Sequence, residues 1–146
     1  MLKKRVGLSI IVLSFSACIS GKSFGLDNAA DIMSRYKAIA EASKSDSSEV
    51  RVAVREAIAK CLGKVTSIQA EEITYKIFVD TVEVVSKGLS RQETHSLLNI
   101  RLAKTIGPAA NGWKKEVSDE VLHFINLMNS DRTSMLCMIN ESSRRL

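Results

Sequence analysis

The residues best able to do chemistry in this chain are three cysteines, two histidines and a run of carboxylates. Cys61 and Cys137 fall in the body of the sequence, and Cys18 lies near its start. In an oxidising compartment an even pair of cysteines is a disulfide candidate. Joining Cys61 to Cys137 would close a loop of about 75 residues, which in the chain-entropy account stabilises by roughly 4–5 kcal/mol. The alternative is two buried free thiols, because cysteine packs as a small apolar residue. No C-x-x-C occurs, which argues against thiol–disulfide exchange chemistry.

His123 has Asp119 and Glu120 four and three positions before it, a weak metal-ligand spacing on a helix. His95 has Arg91 and Asn99 at the corresponding offsets, which is no ligand pattern. Glu71, Glu72, Asp80 and Glu83 share one long segment and could supply an acid and a base. Carboxylates so spaced on a helix are more simply a solvated face. Neither G-x-S-x-G nor G-x-x-x-x-G-K-[ST] occurs. The expectation is therefore a protein without catalytic residues, cofactor or metal, and not an enzyme. Trp113, the single tryptophan, stands beside a glycine turn and two lysines. It is a candidate partner anchor if exposed, and otherwise a ring packed over the start of a helix. Asn140-Glu141-Ser142 matches a glycosylation sequon, which would matter only in a eukaryotic secretory pathway.

The chain is basic, with a net charge of +5 over 146 residues. That excess does not point to nucleic acid. Lys3, Lys4, Arg5 and Lys22 precede every acidic residue, and residues 26–146 hold 17 basic and 16 acidic side chains, a net +1. Recognition of DNA or RNA needs a clustered excess. Lys114-Lys115 and Arg144-Arg145 are too small for that and read as a solvated helix face or tail.

The cationic start has another use. Met1 to Arg5 carries three cations, and Val6 to Ala17 is an uncharged, largely apolar run. Small residues follow at Ser16, Ala17, Ser20 and Gly21. Charged, apolar and small-residue parts in this order make a secretory signal, expected to occupy residues 1–25. The apolar run is shorter than the roughly 20 residues needed to span a bilayer. Ser23-Phe24-Gly25 offers one cleavage site, before Leu26, and cuts after Ser20 or Gly21 are alternatives. Residues 15–18, Phe15-Ser16-Ala17-Cys18, resemble the lipobox of bacterial lipoproteins. The resemblance spans four positions and departs from the pattern at Phe15, where leucine is usual. It implies a lipid on Cys18, and Ile19 after it implies placement in the outer membrane of a Gram-negative cell.

The rest, residues 26–146, reads as one all-α domain, a small bundle of five or six short helices. The first helix is expected from Asp27 as its N-cap to Ser43, with Ile32, Met33, Tyr36, Ile39 and Ala40 on one face. The second follows a capping box of Asp46 and Glu49, and Gly63 ends it. Thr66 with Gln69 is expected to open the third, which ends before Gly88. Its middle alternates like a strand at Ile73, Tyr75, Ile77 and Val79, but the length without Gly or Pro favours a helix. Ser90 and Glu93 make a full capping box for the fourth, which Gly107-Pro108 stops. Asn111-Gly112 is expected as a tight turn. The fifth runs from Trp113 to Asn129 on a stripe of Val117, Val121, Phe124, Ile125 and Met128. The sixth restarts at Ser130 or Asp131 and carries Met135, Met138 and Ile139.

The functional expectation is an exported, non-enzymatic helical protein that binds another protein, as an envelope component, an immunity protein or a secreted factor. It would sit in the periplasm or be secreted, touching membrane only through a lipid on Cys18. The alternative is a carrier of a small apolar ligand, with Met128, Met135 and Met138 lining a cavity.

Overall fold

The computed structural model describes residues 25–130 and 132–146. The leader and its candidate Cys18 lie outside them, as does Asp131. The described residues form six α-helices and no strand. They are α1 (Gly25–Ser43), α2 (Ser48–Leu62), α3 (Ile68–Ser86), α4 (Arg91–Ile106), α5 (Lys115–Ser130) and α6 (Arg132–Arg145). A short 3-10 turn, Ala109–Gly112, joins α4 to α5.

The β-branched segment that alternated like a strand is the central helix. α3 packs against α1, α2, α4 and α5. Ile77, Phe78, Val82 and Val84 on it are fully buried. A helix enclosed on several sides cannot show a clean one-sided stripe, which is why its periodicity was ambiguous. Each large apolar side chain so buried contributes about 1.5–3 kcal/mol. The two buried threonines satisfy their hydroxyls within the helix, Thr74 donating to the Glu71 carbonyl at 3.0 Å and Thr81 to the Ile77 carbonyl at 2.7 Å. The stripe expected on α5 is buried in full. On α1, Tyr36, Ile39 and Ala40 are buried, while Ile32 and Met33 pack at the edge of the core. Met128, Met135 and Met138 are core residues, each 1% exposed or less.

Several helix starts differ from expectation. Ser47, not Asp46, caps α2: its hydroxyl accepts from the Val50 N–H. Asp46 instead takes a left-handed backbone (φ 49°), a conformation aspartate tolerates better than most residues. Ser67, not Thr66, caps α3 by accepting from the Ala70 N–H. In both cases two neighbouring residues could cap, and a contact made elsewhere selected one. Ser90 caps α4 as expected, accepting from the Glu93 N–H at 3.2 Å, and its own hydroxyl donates to the Glu93 carboxylate at 2.8 Å. α1 begins two residues before Asp27. Asn111-Gly112 belongs to the 3-10 turn rather than to a tight turn of its own, and α5 starts at Lys115, two residues after Trp113.

Candidate functional site: a cleft beside the end of α2

Cys61 and Cys137 are bonded, with their Cα atoms 5.8 Å apart. The bond ties the last turn of α2 to α6. Both cysteines are half-buried, and Cys61 packs at the core's edge. An ion cluster lies along the same pair of helices. Glu141 receives Lys60 at 3.0 Å, Arg144 at 2.7 Å and Arg145 at 3.4 Å, and Arg145 also approaches Glu56 at 3.5 Å. The hydrogen bonds from Arg144 and Lys60 hold the Glu141 carboxyl down at about 2. The sequon lies inside α6: Arg35 donates to the Asn140 side chain, and Ser142 is fully buried.

Two residues past Cys61 the chain leaves this seam. Gly63 ends α2 with φ +92°, a backbone that side-chain-bearing residues rarely adopt, while its N–H still bonds the Ala59 carbonyl at 3.0 Å. The loop from Gly63 to Ser67 then runs past α5 and borders an open cleft of about 380 Å³. Ile58 and Leu62 of α2, Val65 of the loop, and Phe124 and Leu127 of α5 supply its apolar walls. Lys64, Asp119, Glu120 and His123 supply the polar ones. This volume lies within the range of small-ligand and side-chain pockets, roughly 300–1,000 Å³.

One polar clasp fixes the loop to α5. The Thr66 N–H donates to Glu120 Oε2 at 2.8 Å, and its hydroxyl donates to Oε1 at 2.6 Å. This clasp explains why Thr66 does not cap α3. It also engages one of the two carboxylates that made His123 a metal candidate. Asp119 pairs with Lys115 at 3.6 Å, and His123 is exposed on the rim. Among the described residues no group of three or more His, Cys, Asp or Glu side chains is placed to hold a metal ion.

The carboxylates considered as an acid–base pair are paired with arginines and do not line the cleft. Glu72 pairs with Arg51 at 2.9 Å and with Arg55, and Arg55 also reaches Glu71 at 3.5 Å. Both guanidiniums lie over the Tyr75 ring, 5.4 and 5.6 Å from its centre. Burial raises the Tyr75 phenol. Glu83 is paired with Arg101 at 3.0 Å, whose hydrogen bond lowers its carboxyl. Asp80 accepts from Thr105 at 2.7 Å, and burial raises its carboxyl despite that bond. These groups lock α3 to α2 and to α4. Trp113 is half-buried, packs on the core and is not part of the cleft. His95 is half-buried on α4, and its Nε2 is buried without a hydrogen-bond partner.

No family model, curated protein or solved structure matches this chain. Among the described residues no helix is long and apolar enough to cross a membrane. The cleft was not legible beforehand, since Thr66 and Glu120 are 54 positions apart and only the fold brings them together. The one local signal was Gly63 followed by a short polar loop.

Proposed function

We propose that this is an exported, non-enzymatic binding protein, and that the cleft between the 63–67 loop and α5 is where it receives another protein. The observation that carries the reading is the cleft itself: apolar walls at Leu62, Phe124 and Leu127, edged by charges of both signs at Lys64 and Asp119. Apolar walls inside a polar rim, which lose water when a partner seats on them, are the usual anatomy of a protein-docking hot spot. Export is supported by the three-part leader and by the Cys61–Cys137 bond, which belongs to an oxidising compartment. A lipid on Cys18 would hold the protein at a membrane surface through its buried acyl chains.

The pocket's volume also favours a second reading, a small apolar ligand. In that case the ligand would sit against Phe124 and Leu127, because the methionines expected to line a cavity are core residues. Site-specific photo-cross-linking in the native cell tests both. A cross-linker at exposed His123 should capture a protein, and the same group at exposed Gln92 on α4 should not. A small molecule bound in place of a protein would establish the carrier reading. Equal capture from both positions, or none from His123, would overturn the cleft as the binding site.

A further inference from the structure

Ile68 is the first residue of α3, and it is 88% exposed, more than any other large apolar side chain described. It stands two residues beyond Thr66, a cleft-wall residue, so at most about 7 Å of chain separates the two. An exposed apolar knob thus lies within two residues of an apolar hole. We propose that the cleft receives Ile68 from a second copy of this chain, the two copies pairing about a twofold axis. This rests on the reading of the cleft as a protein-docking site and names its occupant.

The geometry of a twofold axis supports that occupant. An axis passing between knob and hole seats each Ile68 in the other copy's cleft, so a single patch completes itself. The charges agree with the same operation. Lys64 lies on the loop that leads into the helix bearing the knob, and Asp119 lines the same hole from α5. Insertion of one loop into the partner's cleft brings Lys64 of each copy toward Asp119 of the other. Asp119 is available for it: its contact with Lys115 is 3.6 Å between side chains 60% and 87% exposed, a weak surface pair. Two apolar insertions and two opposite-charge contacts then form at once.

Sedimentation velocity over a concentration series tests the pairing, on protein purified from cells expressing the full chain. A dimer should accumulate as concentration rises. Ile68→Asp should weaken it by roughly tenfold or more, since one buried isoleucine per copy is lost from the contact. Ile68 is exposed, so the variant should keep the parent's circular dichroism and Tm. Lys64→Glu and Asp119→Lys should each weaken the dimer, and the combined variant should regain it. A monomer at every concentration, a dimer indifferent to Ile68→Asp, a charge-swapped variant that stays dissociated, or growth into open higher oligomers would each overturn the proposal. A monomer that still cross-links to a different protein from His123 overturns the pairing alone. A monomer with no capture from His123 overturns the docking reading as well.

Discussion

The end of α2 faces two regions that differ in how they are held. On the α6 side, Cys61 is covalently bonded to Cys137, and Lys60 joins an ion cluster around Glu141. On the α5 side, a few residues later, the chain stands away from its neighbour and the clasp from Thr66 to Glu120 spans the gap. The first region is held by a covalent bond and by ion pairs within the chain. The second leaves apolar walls at Leu62, Phe124 and Leu127 along an open cleft. The contrast teaches that the disulfide and the cleft belong together. The covalent bond at Cys61 sits at the root of the loop that borders the cleft, two residues before Gly63.

Breaking the anchor should have the largest effect. Cys61→Ala or Cys137→Ala should cost about 2–4 kcal/mol and lower the Tm by on the order of 10 °C. The double variant should cost no more than either single one, because the bond is lost at the first substitution. Thermal melts of the three variants and of the reduced parent check this. Gly63→Ala should come next, at about 1–3 kcal/mol, from backbone strain alone. The positive φ disfavours any β-carbon, although no atom lies within 4 Å of the place it would occupy. Chemical denaturation measures it. Thr66→Val should be milder, about 0.5–1 kcal/mol, because the N–H to Glu120 survives and only the hydroxyl bond is lost. Hydrogen exchange should then report faster opening at 63–67 than along α6. The smallest effect at neutral pH should come from Glu141→Gln. The folded Glu141 carboxyl titrates at about 2 against an ordinary 4.5, so its stabilisation is complete above 4.5 and is lost as pH falls toward 2. The variant should flatten that part of a Tm-against-pH curve. Asp80, raised by burial, works in the opposite direction and partly offsets the slope.

Local patterns carried most of the fold. Val117, Val121, Phe124, Ile125 and Met128 recur at helical spacing on one face, and all five are buried. Ser90 with Glu93 marked a helix start that sequence separation alone makes visible. The misplaced caps have a different origin. Thr66 and Asp46 are as suited to capping as Ser67 and Ser47, and the choice was made by Glu120 and by Arg51, which bonds Asp46 at 2.8 Å. Arg51 is five positions from Asp46, but Glu120 is on another helix, so no local rule reaches it. The cleft was hidden for the same reason, since its walls come from α2, the loop and α5. The cysteine pair could be named from count and compartment, whereas the bond itself required α2 and α6 to lie side by side.

The export of a disulfide-bonded body is the claim on which the rest depends. Intact-mass and N-terminal analysis of the protein from its native cell tests it in one measurement. The account predicts a chain cut within residues 1–25 and lighter by two hydrogen atoms than its dithiol form. A chain retaining Met1, with Cys61 and Cys137 both free, would contradict it.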